Sequence, residues 1–468
     1  MSHLIPAADL RQHITRIIAM TGSSPAEAAQ VANNLVMANL SGHDSHGVGM
    51  VPRYVDAVLE GGLNPNTGVK VVLDTGPLLN LDGQRGYGQI TGVQAMQMGI
   101  ERAKQHGVCT VALSRSHHLG RIGHFAEMAV AQGLVSVHFV NVLSRPVVAP
   151  FGGGDGRFGT NPCCIGVPMG NRAPFVLDFA TSRVAQGKMR VAHNEGRSVE
   201  PGTLIDENGQ PTNNPGVVVV PQSGGRMGAL RTFGEYKGFG MAVACELLGG
   251  ALSGGGTWQR QADGRRAVLN SMLCILIDPA RLGSLASFGE ESLAFIDWLR
   301  HSPPAPGSEG VVLPGEPERA AREQRTREGI TIDDAIEIAK QFKAAGVDFV
   351  DCSSGQVDKR EKPVYGRMFQ TPFADRIRNE AGVRTIAVGA ISEADHVNSI
   401  IAAGRADLCA VARPHLANPS WTLQEAARIG YTDLNWHKAY VSGKRQMETN
   451  FERASAMSAP AAATKGEN

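Results

Sequence analysis

Histidine side chains concentrate in one stretch of the chain. Seven of the 14 histidines lie between His43 and His138, and we predict that three of them, His46, His117 and His118, lie in loops directly after secondary-structure elements. An imidazole titrates near neutral pH and can therefore act as a general acid or base. His117 and His118 follow an apolar strand and precede a helix, the place where open α/β sheets hold ligand-binding groups. The sequence therefore predicts a catalytic site around these histidines.

Two other chemistries are open to the same residues. His46, His117 and His118 could supply three zinc ligands, but no HExxH motif or spaced set of cysteines and histidines accompanies them, so no metal is expected. Ser45, His46 and Asp178 could form a hydrolase triad. No Gly-x-Ser-x-Gly elbow is present, however, and Ser45 is the direct neighbour of His46. These groups suit a dehydrogenase better, as a hydrogen-bonded chain that orients the site.

A short glycine-containing turn follows His118. Backbone N–H groups of such a turn can bind phosphate when the turn opens a helix. Gly120-Arg121-Ile122-Gly123 opens a predicted helix and adds an arginine, so it is the best candidate for a phosphate contact. Neither a Gly-x-Gly-x-x-Gly fingerprint between strand and helix nor a Walker motif occurs, so a standard Rossmann domain is not predicted.

The elements that must position these residues alternate between helix and strand, as in an α/β fold. A capping box, Ser24-Pro25-Ala26-Glu27, starts a helix that leads to the Ser45-His46-Gly47 loop. Apolar periodicity predicts further helices at 51–59, 90–106, 122–132, 237–252 and 318–327, and strands at 69–73, 108–113, 135–140, 175–177 and 269–277.

Composition excludes several classes of protein. The 45 basic and 44 acidic residues leave a net charge of +1, so no binding of nucleic acid or of an anionic membrane is expected. No apolar run approaches the roughly 18 residues of a membrane span, and no signal peptide is recognised at the N-terminus. The seven cysteines form no CxxC pair and lie in apolar contexts, which indicates buried reduced thiols in a cytoplasmic protein.

Glycine content divides the chain near residue 330. Residues 1–330 hold 47 of the 56 glycines and the remainder holds 9, which suggests two units of different origin. The second region alternates helices with short apolar strands at 347–352, 384–391 and 406–412, as in a parallel βα series. We predict a first domain at 1–330, a partial barrel at 331–445 and a disordered tail at 446–468.

The motifs of the first domain, taken in order, resemble those of the type-2 malate/L-lactate dehydrogenase family, and most closely its hydroxycarboxylate dehydrogenase branch. The resemblance spans about residues 5–330 and implies a non-Rossmann NAD(P)-binding α/β fold. It implies a cytoplasmic homodimer that interconverts 2-hydroxy acids and 2-oxo acids, or cyclic imino acids in some branches, by hydride transfer with NAD or NADP. The strings that carry it are Gly42-His43-Asp44-Ser45-His46-Gly47, Ser116-His117-His118-Leu119-Gly120, Arg157-Phe158-Gly159-Thr160-Asn161-Pro162, Leu177-Asp178-Phe179-Ala180-Thr181-Ser182, Tyr236-Lys237-Gly238, Glu246-Leu247-Leu248 and Leu313-Pro314-Gly315-Glu316.

The resemblance also implies a role for individual residues. His118 would be the proton donor and acceptor at the substrate oxygen, with Ser45, His46 and Asp178 as the relay that orients the site. His46 would also contact the cofactor, and Thr160 the substrate. The cofactor-contacting residues would be Gly120, Arg121, Ile122, Val176, Leu177, Asp178, Phe179, Ala180, Tyr236, Asn270, Gly315, Glu316, Pro317 and Glu318.

One position departs from the family pattern. Many members carry an arginine three residues after the Ser-His-Gly motif, where it pairs with the substrate carboxylate, and this chain has Met50 there. A methionine cannot make the bidentate ion pair of a guanidinium. We therefore expect either that Arg53, or another arginine such as Arg121, binds the carboxylate, or that the substrate is held differently. The hydroxycarboxylate dehydrogenase branch shares the methionine, which favours a bulkier, aryl 2-oxo acid.

The second region resembles a different family, the old-yellow-enzyme-type flavin oxidoreductases. The likeness includes Val347-Asp348-Phe349-Val350-Asp351-Cys352, Ala387-Val388-Gly389-Ala390-Ile391 and Ala412-Arg413-Pro414. In those barrels Gly389 and Arg413 would lie at the flavin phosphate. The earlier barrel strands have no counterpart here, and three strands cannot close a (β/α) TIM barrel. We expect an incomplete barrel fragment without FMN. The alternatives are a flavin-dependent ene-reductase activity that needs a partner, or an inactive fusion product.

Overall fold

The computed structural model describes residues 3–194, 197–258, 267–283, 285–332, 347–353, 366–431 and 433–458, together with residues 339 and 343. The chain divides into two compact units, residues 2–331 and residues 332–468. No helix within the described ranges is long and apolar enough to cross a membrane.

The first unit contains the site predicted from the sequence. Its helices are α1 (Ala7–Met20), α2 (Pro25–Leu40), α3 (Val51–Leu59), α4 (Gly88–His106), α5 (Gly123–Val130), α6 (Gln186–Asn194), α7 (Tyr236–Ala244), α8 (Leu285–Arg300) and α9 (Glu316–Glu328). Its strands are β1 (His3–Ile5), β2 (Lys70–Asp74), β3 (Leu78–Asp82), β4 (Val108–His117), β5 (Val135–Leu143), β6 (Cys163–Val167), β7 (Phe175–Phe179), β8 (Leu204–Ile205), β9 (Pro211–Thr212), β10 (Ala229–Leu230), β11 (Leu269–Ile277) and β12 (Ile330–Ile332).

Helix α2 begins at the capping box that the sequence predicts. The Ser24 hydroxyl accepts a hydrogen bond from the backbone N–H of Glu27 at 3.3 Å. The Glu27 carboxylate does not close the box in return, because it accepts the backbone N–H of Asn66 at 2.8 and 2.9 Å. One end of the helix that leads to the Ser-His-Gly loop is therefore fixed both locally and by a distant loop.

The main sheet has seven strands in the order β2-β3-β4-β11-β5-β6-β7. Strands β3 and β4 are parallel, and the other neighbouring pairs are antiparallel. Strand β11 has an almost continuous apolar sequence, as expected for a strand that is paired on both edges and covered on its faces. The predicted α/β class is confirmed, and the sheet is mixed.

Apolar side chains of α4, α5 and the sheet form the main core. Met96 of α4, Phe125 of α5 and Leu113 of β4 are all completely buried. Helix α4 packs closely on β4 because a Cβ at Gly99 would lie only 2.5 Å from the side chain of Val111. This packing holds the first half of β4, the strand that leads to the two adjacent histidines.

Two features of the first unit differ from the sequence prediction. Strand β4 continues to His117, because β11 still pairs with it there. His117 is therefore a buried strand residue, and only His118 lies beyond the strand. The helix predicted at 237–252 is α-helical as far as Ala244 and continues as a π-helical segment over Cys245–Leu252.

The second unit contains a parallel sheet in the order β13 (Phe349–Asp351), β14 (Arg384–Ala387) and β15 (Leu408–Cys409). Its small core includes the buried residues Ile377 and Ile400. The predicted parallel βα series is confirmed over these strands. The described helical segments are Thr371–Arg376, Ile377–Ala381, Ala394–Ala402, Arg413–Ala417, Trp421–Arg428 and Val441–Ser458.

The last helix, Val441–Ser458, differs from the disordered tail predicted at 446–468. Its sequence contains no proline, and Lys444 and Glu448, one turn apart, form an ion pair at 3.6 Å that favours a helix. Residues 459–468 lie outside the described residues.

Candidate active site

The imidazole of His118 is held by residues from two helices. His118 follows β4 directly and is 9% exposed. Its Nδ1 lies 2.8 Å from the hydroxyl oxygen of Tyr54 on α3. Nε2 of Gln89 on α4 lies 2.8 Å from the same oxygen and 3.3 Å from the backbone oxygen of His118. The ring that the sequence singles out is therefore fixed in position by its Nδ1 side.

His46 lies beside His118. It ends a short 3-10 helix, Asp44–His46, that follows α2. The two imidazole rings stack with their centroids 5.6 Å apart and their planes at 13°. Nδ1 of His46 lies 3.0 Å from the hydroxyl of Ser45. The predicted pairing of Ser45 with His46 is present, and it lies against the ring of His118.

The turn that carries His46 is fixed by Asn39, near the end of α2. The Asn39 amide donates to Asp44 at 2.6 Å and accepts the backbone N–H of Val48 at 2.8 Å. A Cβ at Gly47 would lie 2.1 Å from the same amide. The glycine of the Ser-His-Gly motif is therefore required by close packing.

Burial keeps the imidazoles of this cluster neutral. It lowers the pKa of His118 well below its usual range, and the charges of His46, His117 and Arg53 act in the same direction. Burial lowers the pKa of His46 to about 4, with a further contribution from the charge of His43, and lowers the pKa of His117 to about 3. At neutral pH the site therefore holds three uncharged imidazoles side by side.

Asn270 holds the chain directly after His118. Its Oδ1 accepts the backbone N–H of Leu119 at 2.9 Å, and its Nδ2 donates to the backbone oxygen of Asn141 at 3.0 Å. The resemblance implies a cofactor contact for Asn270. The structure gives this buried residue of β11 a contact with the loop that carries the predicted catalytic histidine.

Arg121 lies in a buried cluster of charges. Its side chain is 3% exposed and makes a two-point ion pair with Glu127, at 2.6 and 3.0 Å. Arg322 of α9 pairs with the same carboxylate. Nε of Arg121 is buried and has no hydrogen-bond partner among the described residues. Two guanidiniums share one Glu127 carboxylate here, so this three-residue cluster carries a positive charge beside the Gly120 turn.

The carboxylate of Asp178 binds the start of α5. In the described part of the chain its hydrogen bond comes from the backbone N–H of Gly123, at 2.7 Å, and not from Ser45 or His46. Burial raises the pKa of Asp178, although the charge of Arg121 opposes that shift. The predicted relay through Asp178 is therefore not seen in this geometry. Asp178 instead ties β7 to the helix that follows the glycine turn.

A small cavity lies beside the histidines. Its lining includes His46, Gln89, Leu119, Gly120 and Arg121, and its volume is about 10 Å³, the room of roughly one water molecule. A larger ligand therefore requires the walls of this cavity to move.

A larger cleft of about 350 Å³ lies at the start of β7 and is lined in part by Phe175, Pro314 and Glu316. Gly315 has a φ of 91°, and a Cβ there would lie 3.3 Å from the backbone nitrogen of Val176. The segments Val176–Ala180 and Gly315–Glu318, to which the resemblance assigns the cofactor, therefore meet beside this cleft. Glu318 also pairs with His43, at 3.1 Å, near the Ser-His-Gly turn.

The remaining predicted residues lie in different surroundings. Arg53 is exposed on α3, and its charge lowers the pKa of His118, whereas Met50 is buried. The hydrogen bonds described for Thr160 run through its backbone oxygen. Tyr236 is 61% exposed at the start of α7. Within the described residues, no hydrogen bond or ring contact joins Thr160 or Tyr236 to the histidine cluster.

No sequence motif points to Tyr54, Gln89 or Glu127. Tyr54 and Gln89 are 64 and 29 residues from His118 along the chain, so no local pattern connects them. One feature of the sequence does point to Tyr54. Tyr54 lies on the apolar face of a short amphipathic helix, and a buried tyrosine hydroxyl usually has a hydrogen-bond partner.

Comparison with known proteins identifies the family of the first unit. The family model described as malate/L-lactate dehydrogenase matches residues 5–338. The chain belongs to this family. Hydroxycarboxylate dehydrogenase B of Escherichia coli (strain K12) is 45% identical over 333 residues, which cover 71% of this chain and 91% of that protein. L-lactate dehydrogenase of Cupriavidus necator is 42% identical over 328 residues, which cover 69% of this chain and 93% of that protein.

A solved structure shows the same fold. Malate dehydrogenase from Pyrococcus horikoshii OT3 matches with a TM-score of 0.63 at 30% identity, covering 74% of this chain and 96% of that chain. A second family model, that of the NADH:flavin oxidoreductase / NADH oxidase family, matches residues 317–429. Both resemblances inferred from the motifs are therefore confirmed. The two matched ranges overlap around residue 330, where the glycine content changes.

Proposed function

We propose that this chain is an NAD(P)-dependent 2-hydroxycarboxylate dehydrogenase in which His118 moves a proton to and from the substrate oxygen. The observation that carries the proposal is the arrangement of a buried imidazole with its Nδ1 bound to Tyr54 and with His46 stacked beside it. This arrangement lies inside a unit that belongs to a dehydrogenase family. The relatives named for lactate and malate support a 2-hydroxy acid as the substrate class.

The free nitrogen of His118 defines its chemistry. Because Nδ1 is bound to Tyr54, Nε2 is left to meet the substrate oxygen. Nε2 can accept the hydroxyl proton of a 2-hydroxy acid when the ring carries its one proton on Nδ1, and it can give a proton to the oxygen of a 2-oxo acid when Nε2 itself carries one. A nicotinamide bound here would take or supply the hydride. Burial keeps His118 neutral before the substrate binds, which is the form that accepts a proton.

A substrate carboxylate would change the charge balance beside His118. The positive charge of Arg53 contributes to the low pKa of His118. A carboxylate bound to Arg53 would offset that charge and bring a negative charge near the ring, so it would raise the pKa of His118. Binding of the 2-oxo acid would thus prepare His118 for protonation.

The proposed cofactor site runs along β7. One end is the Gly120–Ile122 turn, where a cofactor phosphate would share the Arg121 guanidinium with Glu127 and the N-terminus of α5 with Asp178. The other end is the larger cleft near Phe175 and Glu316. Gly120 carries no side chain and is half-buried, so its backbone is partly accessible, whereas Gly315 is buried. The proposal covers NAD and NADP alike, with Asn270 and Tyr236 as further proposed contacts.

The edge of the main sheet supports a homodimer. Every residue of β2 is exposed, including Val71, Val72 and Leu73, which are 47%, 59% and 49% exposed. An apolar edge strand of this kind readily pairs with another chain, so we infer that a second copy covers it. A cytoplasmic location is supported by the cysteines, six of which are buried free thiols, as in a reducing compartment.

A substrate screen tests the proposed activity. The full-length protein is incubated with NADH or NADPH and with aliphatic, aryl and sulfonated 2-oxo acids and a cyclic imino acid, and the nicotinamide absorbance is followed. We expect at least one 2-oxo acid to be reduced, with one 2-hydroxy acid formed for each nicotinamide oxidised. A folded protein that oxidises neither cofactor with any of the acids would contradict the proposal.

A further inference from the structure

A buried amide lies beside His118, at the first turn of α4. Gln89, the second residue of this helix, is 1% exposed. The helix can approach this closely because the preceding residue is glycine: a Cβ at Gly88 would lie 2.3 Å from the backbone oxygen of His118. The start of α4 is therefore packed against the backbone that carries the proposed catalytic ring.

The hydrogen bonds of Gln89 have a fixed direction. The backbone oxygen of His118 can only accept, so the Gln89 atom 3.3 Å from it is the N–H donor. The same Nε2 lies 2.8 Å from the hydroxyl oxygen of Tyr54 and donates to it. Among the described residues the Tyr54 hydroxyl proton has one acceptor, Nδ1 of His118 at 2.8 Å, and a proton on Nδ1 would leave that hydroxyl proton unpaired.

The direction of these bonds decides where the proton of His118 lies. A neutral imidazole carries one proton, and an Nδ1 that accepts a hydrogen bond cannot hold it. We propose that Gln89 is a positioning residue that, through Tyr54, fixes the neutral His118 ring with its proton on Nε2. The resting site then presents an N–H donor to the substrate. A carbonyl oxygen accepts such a bond, so the site favours the 2-oxo acid over the 2-hydroxy acid in the first complex; this last step rests on the proposed function.

The other end of the amide supports this orientation. Oε1 of Gln89 is buried and has no hydrogen-bond partner among the described residues. Rotating the amide would place Oε1 against the backbone oxygen of His118, so the hydrogen bond to that oxygen would be replaced by a repulsive contact between two acceptors. Leaving one acceptor unpaired is the smaller penalty. Gln89 also lines the small cavity with His46 and Arg121, where a water molecule or a ligand N–H could donate to Oε1.

The hydroxyl of Tyr54 can follow the ring through a reaction. When a proton from solvent adds to Nδ1, the hydroxyl turns so that its oxygen accepts from both Nδ1 and Gln89. The Nε2 proton then goes to the substrate oxygen as the carbonyl becomes a hydroxyl. The resting tautomer returns after product release, when Nε2 takes a proton from solvent and Nδ1 gives up its own, so each turnover consumes one solvent proton in total. Gln89 donates to Tyr54 in both states, so it holds the hydroxyl oxygen in place throughout.

The tautomer can be measured by nitrogen NMR with selectively labelled histidine in the full-length protein at about pH 8, the His118 signals being assigned by their loss in H118Q. The informative variant is Q89E, because a carboxylate cannot donate to Tyr54. In Q89E the Tyr54 proton would turn towards the new carboxylate, and Nδ1 of His118 would become the donor to the Tyr54 oxygen. The matched control is Q94E on the same helix. Among the described residues, Gln94 accepts the backbone N–H of Val69 at 2.9 Å, and a carboxylate keeps that bond.

We expect the Nε2–H tautomer in the wild-type protein and in Q94E, and the Nδ1–H tautomer in Q89E. We also expect the ratio of the KM for the 2-oxo acid to the KM for the 2-hydroxy acid to rise about tenfold in Q89E, the effect of one reversed hydrogen bond. A wild-type ring protonated on Nδ1, or the same tautomer in Q89E and the wild type, would overturn the inference.

The wild-type spectrum can overturn the inference even if Q89E does not fold, because a ring protonated on Nδ1 contradicts it. The spectrum needs no substrate, so it also separates this inference from the proposed function. An Nε2–H ring in a protein inactive with all 2-oxo acids would remove the proposed function and leave the role of Gln89 in place.

Discussion

The two units of this chain differ in how completely their sheets are paired. In the first unit, β11 pairs along all of its nine residues with β5 and is also paired on its other edge with β4. In the second unit, the β13–β14 ladder joins three residue pairs and the β14–β15 ladder joins two. Precise placement of catalytic groups requires rigid elements beneath them. The candidate site of the first unit therefore rests on the more extensively paired sheet.

Paired core substitutions test whether the first unit alone supports the activity. Leu113 in the first unit and Ile400 in the second are both completely buried. Shortening either to alanine should cost about 2–5 kcal/mol in the unit that contains it, because buried methyl groups are lost and a cavity remains. We expect L113A to lower the temperature of half-inactivation by several degrees and I400A to leave it unchanged, as measured by residual dehydrogenase activity after heating. An equal loss in both variants would contradict the separation of the two units.

The buried histidines of the first unit make its stability depend on pH. Burial lowers the pKa of His138 to about 3. His138 binds its proton at a higher pH in the unfolded state than in the folded state. The stability that comes from burying the neutral His138 ring is therefore complete above about pH 6.5 and is lost as the pH falls towards 3. At pH 5 the loss is about 2 kcal/mol.

Urea unfolding of the wild type and of H138L at pH 8 and pH 5, followed by activity and by tryptophan fluorescence, measures this loss. We expect H138L to lose about 2 kcal/mol less than the wild type between the two pH values. The same pH dependence in both proteins would show that His138 is not the group that titrates.

Removal of the second unit should have the smallest effect. A chain that ends after Ile332 keeps β12 and all the proposed site residues. We expect its kcat and KM to stay within about twofold of the full-length values, since domains of this kind usually function independently. A folded truncated protein without activity would mean that the second unit contributes to catalysis. Full-length protein that is purified with bound FMN would contradict the expectation of a second unit without flavin.

The sequence predicts the local elements well and their partners poorly. Helix α3 and strand β11 have the predicted bounds, because each has a clear apolar period or run. The order of the strands depends on contacts between distant segments, which no local pattern reports. His117 illustrates this: it was expected in a loop, but pairing with β11 extends β4 to include it.

The candidate site shows the same division. The Ser45–His46 pair and the position of His118 follow from local motifs. The contacts of Tyr54 and Gln89 with His118 depend on how α3 and α4 pack near the end of β4, and so they emerge only from the structure. Asp178 was expected to extend the relay, yet its carboxylate binds Gly123, because the start of α5 offers unpaired backbone N–H groups nearby.

We propose that His118 of the first unit transfers the proton. Two separate single substitutions, one at His118 and one at a control histidine, test this role. H118Q removes the ionisable ring, and H106Q changes an exposed histidine at the end of α4 as the matched control. With the best 2-oxo acid from the screen, we expect kcat to fall about 1,000-fold in H118Q, the usual contribution of a general acid or base, and to stay within about twofold of the wild type in H106Q. An H118Q protein that keeps a kcat near the wild-type value would contradict the account.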